Sequence, residues 1–433
     1  MNEIELNASK RYIRLGTIKI LFLVIIGLLI ILVTEEPVVH LVTIWAAALY
    51  IAGIVRFDLI HPYCWFPLSF ALYNTAYTIL YIMGDDQSAG YSSMNAVYTI
   101  VAMGIVCLIV GVQKIDESKE YNKDYVINSK ANNVFFLMFA GISMLFAVIL
   151  QSRGYSGKKA MQAANDVFYT IGVHVIRWMM VLMLIQMCSY MCTDRKRNMM
   201  YITISLAAAL MMGLFTGERD IIFRAILILI ITLFYFKRIT KKHYFLLLPI
   251  GAAIMISSLY FKYYFLRGTG NTAHIDLHRI LYSFLMTDFR ATGRNTQYLL
   301  NNLWTEGYFG IELFFSELLR GLVPVSSFIN PSSWYNYEVF PGGFKGQAFT
   351  LIGFGHVIGG LYGVILVFVV LGLYIRVIYH RSRNSIYSLA FYLFSITIIT
   401  ACYRQTLNSI VNMSIKAVLV MVLLTRLLVK KQR

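Results

Sequence analysis

The stretch RGTGNTAHIDLHRILYSFLMTDFRATGRNTQ (267–297), joined by LFFSELLRGLVPVSSFINPSSWYNYEVFPGGFKGQ (313–347), decides how the chain is read. It is a polar run between two blocks of almost continuously apolar sequence. Its Arg, Asn, Gly and Pro content is too high to cross lipid, because no water there would satisfy the exposed polar groups. It is also the one stretch long and polar enough to house chemistry.

Outward from it, the composition sets the class. Of 433 residues, 58% are hydrophobic and only 14% are charged, against about 25% charged in a soluble domain. The mean hydropathy is +0.66. Apolar runs of about 20 residues, the length needed to cross roughly 30 Å of hydrocarbon as helix, recur throughout. The expectation is an all-α, polytopic membrane helical bundle forming one domain over 1–433. Its crossings are expected at about 15–33, 38–56, 65–83, 92–113, 132–151, 167–192, 199–215, 220–236, 244–264, 350–378, 385–402 and 407–428, about twelve in all. The polar stretch is then a large loop at 265–349.

The net charge of +17 does not point to nucleic acid. The basic residues sit in short loops between apolar runs, as the positive-inside rule places them. Lys10, Arg11, Arg14, Arg56, the 114–130 segment, 195–197, 237–242, Arg381, Arg383 and the C-terminal Lys430, Lys431 and Arg433 all fall on one side. The register predicts cytoplasmic termini and an extracytoplasmic 265–349 loop. Leu15–Val33 lacks a small-residue cleavage site and reads as a retained first helix. Five cysteines lie in or beside apolar segments with no CxxC pair or zinc spacing, so they read as small buried hydrophobes. No metal or cofactor is expected.

Against this register, several cations fall on the outer side: Arg153, Lys158, Lys159, Arg219, Arg267, Arg279, Arg290, Arg294, Arg320, Lys345 and Arg404. Arg177, Arg224, Lys262 and Lys416 fall inside expected helices. Each such residue costs about 2.5–3.5 kcal/mol near a helix centre. Taken singly, each is explained by snorkelling or by an ion pair. Taken together they exceed the acids on that side, and Arg suits bidentate phosphate recognition. An anionic ligand on the outer side is expected.

Spacing sharpens the site. Arg290 and Arg294 stand at i and i+4, a repulsive pair on a helix that calls for an anion between them. Glu317 and Arg320 stand one turn apart before Gly321 and Pro324, in a segment that resembles a re-entrant helix. They read either as a local ion pair or as a buried carboxylate poised as a base. His274, His278 and Asp288 are further candidates for that base. Trp334, Tyr335 and Tyr337 suit either a sugar site or a membrane-interface belt. Thr216–Asp220 is a very tight turn that holds Arg219 at fixed depth, paired with Glu218 or Asp220 or free at a cavity rim. Gly355, Gly359 and Gly363 read as a helix-packing face, with His356 as a structural residue beside it.

The Gly217-Glu218-Arg219 turn opens a helix ending Tyr235-Phe236-Lys237. With the Glu317–Pro324 segment, Ile352-Gly353-Phe354-Gly355-His356, Gly359-Gly360-x-x-Gly363, Arg404 before the last helix and one large late loop, the chain resembles the O-antigen and oligosaccharide repeat-unit polymerases, the Wzy-like family. The resemblance implies a C-type glycosyltransferase of the bacterial cytoplasmic (inner) membrane. Such an enzyme transfers a glycan from one undecaprenyl diphosphate carrier to the end of another, without a metal. The implied diphosphate ligands are Arg219, Arg290, Arg294 and Arg404, then Arg267 and Arg320. Glu317 leads as base, and the implied partners are lipid-linked oligosaccharide and a chain-length regulator. A flippase of the same lipids should show duplicated halves, and none is visible; an O-antigen ligase should show a His-rich loop motif, and only His274 and His278 occur.

Overall fold

The computed structural model describes residues 3–112, 125–127, 129–155, 160–161, 164, 166–190, 195–217, 219–236, 253, 288–302, 308–323, 330–336, 348–382, 384–404, 406–416 and 429–431. Of the expected helix at 244–264, all but residue 253 lies outside them. The described residues are helical except for turns, connections and one three-residue antiparallel pair, β1 (Tyr125–Ile127) with β2 (Val429–Lys431). Among the described residues, seven helices are long and apolar enough to cross a membrane. The molecule is therefore a helical membrane-embedded protein.

The helices follow the apolar runs closely: α1 (Glu3–Val33), α2 (Pro37–Ile54), α3 (Pro62–Ile82), α4 (Ser93–Val110), α5 (Ser129–Ser152), α6 (Val167–Tyr190), α7 (Arg195–Thr216) and α8 (Arg219–Tyr235). Next come α9 (Asp288–Asn302), α10 (Ile311–Leu322), α11 (Pro331–Trp334), α12 (Leu351–Arg381), α13 (Ile386–Cys402) and α14 over 407–416. Pro37 and Pro62 open their helices, where a missing N–H costs nothing. On α1, Ile18, Leu21, Phe22, Ile25, Leu29 and Leu32 are exposed. A soluble protein would bury such a continuous apolar face; lipid covers it here.

The chain forms two compact units. The first comprises Met1–Asp116, Leu285–His380 and Ile398–Ser414. In it α2 packs on α3, α1 packs on α4, and α9 lies against α3 and α4. Glycines permit these approaches: a methyl group on Gly104 would strike Val24 of α1, at 2.5 Å. Helix α3 is the most enclosed, with Phe66, Phe70, Tyr73 and Tyr77 buried along it. The rings of Phe66, Phe70 and Tyr73 join Phe368 and Tyr403 in an aromatic core.

One expectation changes here. The 350–378 run does not form a single helix, because α12 breaks at Gly359 and Gly360. Gly360 has φ 60° and ψ −134°, a conformation open to glycine. The freed carbonyls of Val357 and Ile358 accept from the N–H groups of Phe309 (3.1 Å) and Gly310 (2.9 Å). A Cβ on Gly355 would lie 2.6 Å from the Val364 Cα, and one on Gly363 would collide with the Gly355 carbonyl. These glycines therefore let the two halves of one broken helix fold against each other. They are not a stripe along a straight helix.

The second unit comprises Glu117–Phe284, Arg381–Thr397 and Ile415–Arg433. Helix α5 packs on α6 and α7, and α7 packs on α6 and α8. A polar knot closes one end: Asn132 donates to the Tyr201 hydroxyl (2.9 Å), which donates to Asn133 (2.7 Å).

Candidate functional site

The site is built around α9, the most polar helix in the described structure and one of the best buried. Thr292, Asn295, Thr296 and Gln297 are all buried. Buried hydroxyls and amides are tolerable only when bonded, and apart from the Gln297 Nε2, which is buried without a partner, α9 meets this with partners on two sides. Toward the α3–α4 connection, Arg290 pairs with Asp86, Gln297 accepts from the Ser92 N–H (2.7 Å) and Asn301 donates to the Ala89 carbonyl (2.9 Å). Toward the start of α12, Asn295 donates to Ala348 O (2.9 Å) and Thr296 meets the Thr350 N–H (2.9 Å) and hydroxyl (3.0 Å). The Thr296 hydroxyl gives its one proton to Thr292 O (2.9 Å), so Thr350 is the donor in both contacts. Gly293 lets α9 approach Tyr77, whose Cβ is 2.9 Å from where a methyl would stand.

This placement revises the expectation of an external anion between Arg290 and Arg294. The anion beside Arg290 is the chain's own Asp86. Burial pushes the Asp86 carboxyl up, but hydrogen bonds from Ser88 and Arg290 outweigh it and hold the group below the usual carboxylate range. The charge of Arg294 acts on the phenols of Tyr77 and Tyr335. Helix α9 thus presents its two Arg from a fixed backbone.

A second set of residues meets at the turn between α13 and α14. The Tyr73 ring lies against Phe289 (4.6 Å) and Tyr403 (5.5 Å), the residues that precede Arg290 and Arg404. The Leu351 N–H donates to Tyr403 O (3.1 Å), tying the start of α12 to this turn. From α10, the Glu317 carboxylate pairs with Arg320 at 2.6 Å, and neither of its buried oxygens has a hydrogen-bond partner of good geometry. Gly321 allows α10 this close, since a Cβ there would meet Val411 at 2.7 Å. Burial pushes the Glu317 carboxyl up, and the nearby Arg320 charge offsets only part of the effect. The Glu317 side chain is 0% exposed. A carboxylate sealed in this way orients Arg320. Of the two readings of Glu317 and Arg320, the ion pair is the one formed.

The remaining sequence candidates divide. Tyr335 is fully buried against Phe349 (5.7 Å), so it carries no exposed ring for a sugar. Trp334 stacks edge-on with Phe309 at 4.9 Å. Asp288 opens α9, and Arg219 opens α8 in the second unit, but their side chains lie outside the described residues, as do Arg267, His274, His278 and Tyr337 entirely. Two other outer cations have internal partners: Arg153 with Asp166, and Arg224 with Asp220 at 3.5 Å. His356 is buried, 3.4 Å from the Tyr98 hydroxyl and edge-on to Tyr308, in keeping with a structural role. Among the described residues no His, Cys, Asp and Glu gather as metal ligands.

Sequence reading missed Asp86, the polar burial of α9 and the Tyr73 contacts. The only signal for Asp86 was an acid in a short loop without cations. Comparison with family models, curated proteins and solved structures finds no match to any of the three.

Proposed function

We propose that the protein is a glycosyltransferase of a bacterial cytoplasmic membrane that joins lipid diphosphate-linked oligosaccharide repeat units on the outer face. In this reading the chain crosses about twelve times with both termini inside, and 265–349 lies outside. The observation that carries it is the junction at Tyr403, where a cation-bearing polar helix, the Glu317–Arg320 pair and the Arg404 turn share neighbouring backbone.

In the reaction, the acceptor's sugar hydroxyl oxygen bonds to the donor's anomeric carbon, and the bond from that carbon to the carrier diphosphate breaks. The electron pair leaves with the diphosphate, whose growing charge needs fixed cations. Arg294 and Arg404 supply them, and Arg290 and Arg320 are held in place by Asp86 and Glu317. The hydroxyl proton passes to a group of the polar stretch, and Asp288 has the chemistry to take it. Purified protein given an outward-facing lipid-linked repeat unit should yield a ladder of products. No ladder from folded wild-type protein refutes the reading.

A transporter of the same lipids is the second reading, favoured by the break at Gly359–Gly360, since discontinuous helices commonly line transporter sites. It predicts transfer of labelled lipid across proteoliposomes and no ladder.

A further inference from the structure

We infer that α10 lies in the surface of the bilayer, with Ile311, Phe315, Leu319 and Leu322 docked among lipid acyl chains. This needs only a membrane-embedded protein and holds under either reading of the function.

Helix α10 has two faces. Leu313, Phe314, Glu317 and Gly321 are buried. Ile311, Phe315, Leu319 and Leu322 are exposed. At about 3.6 residues per turn the exposed four fall in one stripe about 80° wide, turned away from the buried set. The 12 residues of α10 make about 18 Å of helix, too short to cross roughly 30 Å of hydrocarbon. A short helix with one apolar face open and the other packed on protein suits the boundary between lipid and water.

The second half of α12 sets the level of α10. From Leu361 to Arg381 it is about 30 Å long, enough to cross the hydrocarbon by itself. Its exposed Tyr362, Leu373 and Val377 share one face, as on a lipid-facing helix. The break at Gly359–Gly360 therefore lies at one boundary of the membrane. The start of α10 is fastened there, by the bonds from the Phe309 and Gly310 N–H groups to the Val357 and Ile358 carbonyls. Tyr308 reaches the same place, its hydroxyl 3.0 Å from where a methyl on Gly360 would stand. Tyr308 and Tyr362, the latter 83% exposed, thus bring two exposed phenols to the level at which aromatic rings belt a membrane. The apolar stripe of α10 begins at this belt and continues the lipid-facing surface of α12. Acyl chains of that leaflet are the occupant the stripe fits. Glu317, on the packed side of α10, then stands one helix diameter, roughly 10 Å, from lipid.

The test uses the full-length protein in nanodiscs of dioleoylphosphatidylcholine. p-Benzoylphenylalanine replaces Phe315, or Leu319 should the first variant fold poorly, with Phe22 on α1 and Phe66 in the core as controls. After ultraviolet irradiation, mass spectrometry of the peptides should find phospholipid adducts at Phe315 as at Phe22, and none at Phe66. In a second arm, a charged, water-soluble maleimide should label Phe315→Cys and Leu319→Cys about 10-fold or more slowly than Gln87→Cys in the α3–α4 connection, where Gln87 is exposed. The reason is that each unit by which hydrocarbon raises a thiol pKa costs about tenfold in thiolate. Only variants with wild-type elution and melting are compared. Adducts to this chain or to a second copy in place of lipid, no adduct where Phe22 gives one, or thiols labelled as fast as Gln87→Cys overturn the inference.

Discussion

Asp86→Asn tests what Arg290 is for. The change keeps the shape of the side chain and removes the charge beside the guanidinium. The Asp86 side chain is 2% exposed and that of Arg290 24%. An exposed pair contributes about 0–1 kcal/mol, and breaking a fully buried one costs about 3–5 kcal/mol. One sealed and one partly wet partner place this pair between the limits, so we expect a loss of about 2 kcal/mol. Arg290→Gln should cost a similar amount, because Asp86 is then left buried with only its Ser88 hydrogen bonds. The double variant should cost little more than either single change, a coupling of about 1–2 kcal/mol in a double-mutant cycle. Unfolding of the purified protein in detergent, followed through a fluorophore, measures all four corners. Additive single changes, or either change within about 0.5 kcal/mol of wild type, would show that the pair does not anchor α9. Arg290 would then be available to a ligand.

Three further outcomes follow from the same geometry. Gly363→Ala should destabilise by about 1–3 kcal/mol or abolish folding, because its methyl meets the Gly355 carbonyl, whereas Gly141→Ala, on open helix surface, should be neutral or slightly stabilising; thermal melts compare them. The carboxyl of Asp86 is held below its ordinary 3.8, so its contribution to stability is complete above that pH and lost as pH falls through the lower, folded value; acid unfolding of Asp86→Asn should lack that component. In the ladder assay, Arg294→Gln and Arg404→Gln should each lower product formation by about 10-fold or more with unchanged melting, while Thr296→Val should lower melting through loss of its bonds to Thr350.

The membrane class and most of the described helical segments were legible in the sequence, since a helix satisfies its backbone within itself and reports its length through local composition. The i, i+4 spacing of Arg290 and Arg294 was legible for the same reason, and so was the Glu317–Arg320 pair as one of two alternatives. What local pattern cannot carry is the identity of a partner far along the chain. Asp86 and Arg290 are 204 residues apart. A polar stretch such as 288–302 looks like a solvated loop until the carbonyls and hydroxyls that bury it are known. The glycines at 355, 359 and 363 have the spacing of a packing stripe. Only the backbone of α12 shows that they serve a break, because an L side chain is strained at the φ of Gly360 and too large at the contact of Gly363 with Gly355. Composition and periodicity therefore determined that the chain lives in a membrane as helices. The long-range pairing of charges and the close approach of backbones, which depend on three-dimensional neighbours, were decided by the tertiary structure alone.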